Sequence, residues 1–210
     1  MSGYYPLLLD LTGKTCVVIG GGNVAGRKAQ SLLEAGARVA LVAPELAETA
    51  RELYDAGRVE WRAEPYRAAH LEGAALAVAA TDDQQVNRRA RADARTLGVF
   101  INVVDQPELC DFIVPSVLRR GDLIIAISTS GASPAVAKRL RERFEKEFGP
   151  HWAEFLTMMR EARERALAAG GGQKEREERF NRLADGPLLE LARRGDLAEI
   201  KRLIGEIIGP

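Results

Sequence analysis

Three glycines, Gly20, Gly22 and Gly26, stand at the spacing G-x-G-x-x-x-G in the run Lys14-Thr-Cys-Val-Val-Ile-Gly-Gly-Gly-Asn-Val-Ala-Gly-Arg-Lys28. The β-branched residues Val17, Val18 and Ile19 lead up to Gly20, and a helical pattern follows to about Ala35. A strand, a glycine turn and a helix are the context that a dinucleotide-binding loop requires. Gly20 permits the tight turn, and Gly22 lets the backbone approach a pyrophosphate with no Cβ in the way. Gly26 is expected to let the helix pack close to the strand, while the N–H groups of the first helical turn face the phosphate. A glycine turn that only reverses the chain would have the same sequence.

Ligands of an open parallel sheet bind beyond the carboxyl ends of its strands. Four such ends carry candidates: Gly20 to Gly26, Ala43-Pro44-Glu45, Thr81-Asp82-Asp83, and Asn102 to Asp105. At the second, an NAD site usually places an acid on the ribose hydroxyls; here Ala43 and Pro44 stand there, with Glu45 as a displaced substitute. No Arg stands there for a 2′-phosphate, which favours NAD over NADP. Asp105 can accept a proton or orient a substrate, although Asp105-Gln-Pro-Glu108 also spells a capping box. Asp82 and Asp83 read as helix caps. Ser128, Thr129, Ser130 and Ser133 form a hydroxyl-rich loop before a helix N-terminus, suited either to a substrate carboxylate or to ordinary capping. No Cys-x-x-Cys or His pair at helical spacing marks a metal site, and His70 and His151 read as surface or structural residues.

The elements that must position these residues alternate. A lead-in, Tyr4 to Leu11, is expected as an edge segment or lid for the first strand. After the first helix, ended by Gly36, come a strand at Arg38–Val42 and a helix from Pro44 to about Ala56. A short strand at Val59–Arg62, a helical turn near His70 and a buried strand at Ala74–Ala80 follow. A helix at about Gln85–Leu97 and a strand at Val99–Val104 complete an α/β, Rossmann-like doubly wound parallel sheet. The pattern then changes to a hairpin, Phe112–Val117 and Leu123–Ser128, with Gly121-Asp122 at its turn. Ser133-Pro134 opens an amphipathic helix to about Phe148, and this hairpin and helix suggest a dimerisation arm. Helices follow from Trp152 to Ala169, then a Gly170-Gly171-Gly172 hinge and three shorter helices, the last begun by the Asp196/Glu199 capping box. The expected domains are residues 1–111, 112–149 and 150–210.

The totals exclude several function classes. In 210 residues, 30 Lys and Arg balance 30 Asp and Glu, so no net field favours nucleic acid or an anionic membrane. Hydrophobic residues make up 46 %, enough for a buried core. Cys16 and Cys110 are the only cysteines, which argues against a disulfide framework and for a reducing compartment. Met1 to Leu11 lacks the basic start of a signal peptide, and no apolar run reaches the ~18 residues of a membrane span. A soluble cytoplasmic protein is expected.

Five ordered motifs, Gly20 to Lys28, Ala80-Thr-Asp-Asp83, Asn102-Val-Val-Asp105, Phe112-x-x-Pro115 and Ser128-Thr-Ser-Gly-Ala-Ser-Pro134, together resemble the precorrin-2 dehydrogenase family. Its members make sirohydrochlorin for sirohaem, alone or as the N-terminal part of a sirohaem synthase. The resemblance runs from Tyr5 to Glu147. It implies NAD as cofactor, held by Gly20, Gly22, Asn23, Val24, Gly26, Ala43, Pro44 and Thr81. It implies Asp105 as the catalytic carboxylate, Asn102 and the Ser128 to Ser133 loop on the tetrapyrrole, and a homodimer. Arg119, Arg120, Lys138, Arg139 and Arg141 are candidates for a basic lining. Some members also insert iron into sirohydrochlorin, a reaction that needs no dedicated metal site because the macrocycle supplies four nitrogens. A non-catalytic NAD-sensing module is the rival reading; it would need the glycine loop but neither Asn102–Asp105 nor Ser128–Pro134.

Overall fold

The computed structural model describes residues 3–170, 172–184 and 186–208, and the chain divides after Ile113 into two compact units. In the first unit, β1 (Thr15–Ile19) lies at the centre of a five-stranded parallel sheet. Its partners are β2 (Arg38–Val42), β3 (Glu60–Arg62), β4 (Leu76–Ala79) and β5 (Phe100–Val103), in the order β3-β2-β1-β4-β5. Successive residues of a strand face opposite sides. Cys16, Val18, Val39, Leu41 and Val78 therefore pack with Ala25 and Ala29 of α1 (Asn23–Glu34) and with Ala50 and Leu53 of α2 (Glu48–Asp55). Val17, Ile19, Ala77, Ile101 and Val103 turn the other way, towards Leu71 and towards Ala90 and Ala94 of α3 (Gln84–Leu97). Both faces are apolar because both are covered, which is the doubly wound arrangement expected.

The small residues set how closely the layers approach. A Cβ on Gly26 would lie 2.9 Å from the Ala50 nitrogen and from the Thr49 Cβ. Gly26 thus lets α1 pack against the start of α2, and not against the strand as its spacing suggested. A Cβ on Gly21 would lie 1.9 Å from the Glu45 carbonyl oxygen, and the Gly21 carbonyl accepts a hydrogen bond from the Ala47 N–H at 2.8 Å. Residues 44–47 are held there as a turn, so α2 begins at Glu48 and not at Pro44. The lead-in before β1 forms no strand: Tyr5 and Leu8 are exposed and only Leu11 enters the core.

In the second unit, β6 (Ser116–Arg120) and β7 (Leu123–Ile127) form an antiparallel hairpin. Its loop is just Gly121-Asp122, with Gly121 at φ +57°, as a two-residue hairpin turn requires. The first strand starts at Ser116, not Phe112, because Pro115 has no N–H for a ladder and the Phe112 carbonyl bonds back to Asn102. Ser133 caps α4 (Pro134–Glu147) through the Val136 N–H. Four further helices follow: α5 (Trp152–Ala168), α6 (Gln173–Ala184), α7 (Gly186–Arg194) and α8 (Leu197–Ile208). They close on a core that includes Trp152, Phe155, Leu188 and Ile200. Asp196 caps α8 through the Glu199 N–H, as its spacing suggested. Of the expected glycine hinge, Gly171 lies outside the described residues, as do Met1 and Ser2 of the N-terminal stretch.

Candidate functional site

β1 and β4 are adjacent, but their following helices leave on opposite faces of the sheet, so a crevice opens between the loops beyond their carboxyl ends. A cleft of about 340 Å³ fills it, lined by Gly20, Gly21, Gly22, Asn23, Val24, Ala80, Thr81 and Asp82. Gly20, at φ +124°, has no room for a Cβ, which would lie 2.4 Å from the Ala80 carbonyl oxygen. Gly22 faces open space, with nothing within 4 Å of where its Cβ would be. It is the N-cap of α1, a helix with no side-chain cap and no acidic residue in its first turn. The leading N–H groups of α1 are therefore left for an anion. An uncapped helix end, a loop without side chains and a crevice at the switch point fit the pyrophosphate of a dinucleotide. Asn23 is anchored by a hydrogen bond from the Thr49 hydroxyl to its Oδ1, at 3.1 Å.

A second cleft of about 200 Å³ shares Val24, Ala80, Thr81 and Asp82 with the first and adds Gln84, Val104, Asp105 and Gln106. Asp105 is exposed and has φ +60°, one of two described non-glycine residues, with Ser130 at +52°, in the left-handed region. Its carboxylate makes no hydrogen bond or ion pair among the described residues. The capping-box reading is not what the structure shows: the turn at Pro107–Leu109 is preceded by Gln106 as its N-cap. A charged side chain in a disfavoured conformation, free of internal partners and facing a cleft, marks function more than packing.

The loop beyond Asp105 is tied back to β5. The Cys110 thiol donates to the Val103 carbonyl at 3.2 Å and accepts from the Val103 N–H at 3.2 Å. Burial pushes this thiol, like that of Cys16, above its ordinary pKa, so it stays protonated for the bond. Asp111 accepts from the Ile101 N–H at 3.1 Å and from Arg91 at 2.7 Å. Asn102 completes the tie: its side-chain N–H group, buried, donates to the Phe112 carbonyl at 2.9 Å. Asn102 is thus a strut of this loop and is not among the residues that line the two clefts.

The structure brings together Gly20, Gly22, Asn23, Val24, Thr81 and Asp105. Ala43 is buried beside the glycine loop with its carbonyl bonded to the Trp61 indole N–H at 2.9 Å, and neither it nor Pro44 lines the clefts. Gly26, within α1, is buried against the start of α2. Ser128, Thr129, Ser130 and Ser133 belong to the second unit, where three of their hydroxyls hold the loop: Ser128 accepts from the Ser130 N–H, Thr129 from the Ser133 N–H, and Ser133 caps α4. Asp83 caps α3 through the Gln85 and Val86 N–H groups, as expected, but Asp82 caps nothing and lines both clefts. The sequence reading took Asp82 for a cap and named neither Gln84 nor Gln106 among the cleft residues. The one available signal was that a single Asp suffices to cap α3, which leaves its neighbour without a structural task. His70 is structural: buried, it accepts from the Arg67 N–H and bonds Glu64.

A family model described as NAD(P)-binding matches residues 7–116, more than half of the chain. The chain belongs to this NAD(P)-binding family. A second model, sirohaem biosynthesis protein central, matches residues 120–147. The chain is 37 % identical over 203 residues to a siroheme synthase of Methylococcus capsulatus, covering 97 % of this chain and 43 % of that protein. It is 36 % identical over 203 residues to a siroheme synthase of Stutzerimonas stutzeri, covering 97 % and 44 %. It thus spans well under half the length of these curated relatives. The solved structure of SirC, a precorrin-2 dehydrogenase, superposes with a TM-score of 0.76 at 25 % identity, covering 95 % of this chain and all of that one. The resemblance drawn from the five motifs is borne out. No helix among the described residues is long and apolar enough to cross a membrane.

Proposed function

We propose that the chain is an NAD-dependent precorrin-2 dehydrogenase, which removes a hydride and a proton from precorrin-2 to give sirohydrochlorin. The observation that carries this reading is the unpaired Asp105 carboxylate, held at φ +60° in a cleft continuous with the glycine loop. A sensing module needs only the loop; the tied-down segment after Asp105 is explained by a reaction. Bound NAD supplies the hydride acceptor. Gly22 and the N-terminus of α1 hold its pyrophosphate, and Asn23, Val24 and Thr81 border the rest of it. Asp105 takes the proton released from the macrocycle or orients the macrocycle for its loss. The proposal includes a cytoplasmic homodimer, with residues 112–149 as its arm and residues 150–210 as a helical domain. It also keeps the Ser128–Ser133 loop as a contact for substrate carboxylates.

The test is anaerobic. Purified protein, enzymatically made precorrin-2 and NAD are mixed, and the absorbance of NADH and of sirohydrochlorin is followed. The expected result is one NADH per sirohydrochlorin; nucleotide binding with no NADH formed would turn the assignment to the sensing module. The alternative is a bifunctional chain that also inserts ferrous or cobaltous ion into the product, since the macrocycle itself supplies four nitrogens. Adding either ion after turnover, against a protein-free control, measures the insertion.

A further inference from the structure

Of the groups on Thr81-Asp82-Asp83, one is left without an internal task. The Thr81 carbonyl accepts from the buried Asn87 side chain at 3.0 Å, and the Thr81 hydroxyl oxygen accepts from the Asp83 N–H at 3.2 Å. The Asp83 carboxylate caps α3. Asp82 is thereby presented from a fixed backbone, exposed, with no hydrogen bond or ion pair among the described residues. It lines both clefts, between the glycine loop and Asp105. No Lys or Arg is among the described residues that line either cleft.

A lone carboxylate is a poor neighbour for a pyrophosphate and a good one for a cation. An oxidised nicotinamide ring carries a positive charge and a reduced ring carries none. Resting on the dinucleotide reading of the cleft, we propose that Asp82 sets the selectivity of the site for the oxidised, cationic nucleotide over the reduced, neutral one. Its negative charge holds the ring before hydride transfer and loosens its grip once the ring is neutral. Release of the reduced product is favoured by the same charge.

The experiment is calorimetric titration of the whole chain with NAD and with NADH, for the wild type and for Asp82→Asn, Asp82→Glu and Asp105→Asn. Asp82→Asn keeps the shape and removes the charge. It is expected to weaken NAD by about fivefold, the size of one exposed charge pair, and to change NADH by less than about twofold on the same scale. Asp82→Glu is expected to restore the wild-type ratio, and added salt to narrow the ratio in the wild type alone or with Glu. Equal weakening of both nucleotides by Asp82→Asn, or no change in either, would overturn the proposal. A fall in the ratio with Asp105→Asn but not with Asp82→Asn would overturn it too, moving the selectivity to Asp105. Wild-type protein that binds neither nucleotide would instead overturn the dinucleotide reading of the cleft.

Discussion

At Asp105 the backbone and the side chain point to the same conclusion by different routes. The left-handed region costs a non-glycine residue of order 1–3 kcal/mol at a functional site, and here no internal hydrogen bond of the carboxylate repays it. The cost is tolerated because Cys110, Asp111 and Asn102 pin the following loop to β5. Replacing Asp105 by Ala is expected to lower turnover by about 100-fold or more, the range of a lost acid–base group. Nucleotide affinity should stay near the wild-type value. Steady-state assays beside calorimetry separate the two, and wild-type turnover in the variant would remove Asp105 from the reaction.

Among the elements, α1 shows how two glycines of one motif serve different ends. Gly22 faces the open cleft, so Gly22→Asp puts a carboxylate where the pyrophosphate is proposed to lie; it is expected to abolish nucleotide binding with little change in stability. Gly26 faces α2, and its Cβ would meet a backbone nitrogen at 2.9 Å. Gly26→Ala is expected to lower stability by about 1–3 kcal/mol as the helices are forced apart, visible as a lower urea midpoint. A pair of variants that swapped these phenotypes would reverse the assignment. The segment before β4 carries a pH dependence. A hydrogen bond from Arg67, then one from His70, holds the Glu64 carboxyl below its ordinary value of 4.5. A carboxylate with a depressed folded value adds stability above its unfolded value and loses it as the pH falls through the folded one. Glu64→Gln is therefore expected to flatten the melting temperature against pH below about 4.5 and to lower it at neutral pH.

For the whole molecule, the assembly state follows from the proposed arm. The exposed residues Val117 and Val136 lie on the hairpin and on α4, within the segment 112–149. Sedimentation equilibrium is expected to give twice the 22.9 kDa of one chain; a single chain mass across the concentration range would reject the dimer. With Val117→Lys and Val136→Lys together, the mass is expected to fall towards one chain.

The amino-acid sequence by itself determined which elements form. Strand and helix periods, the glycine turn, the Gly121-Asp122 hairpin and the Ser133-Pro134 helix start all depend on neighbours a few residues away, and such rules are local. It also determined the family, because five motifs in order are far more specific than one. Tertiary structure decided what each motif residue touches. That Gly26 meets Thr49 and Ala50, that Asn102 bonds Phe112, and that Gly21 sits on Glu45 are contacts between distant or separately folded segments. No local rule encodes them. The same holds for Asp82 and Asp83, neighbours of one chemistry: the direction of α3 takes one as its cap and leaves the other facing the cleft. Which carboxylate is free is a property of the packed fold, because it depends on which N–H groups the folded helix brings within reach.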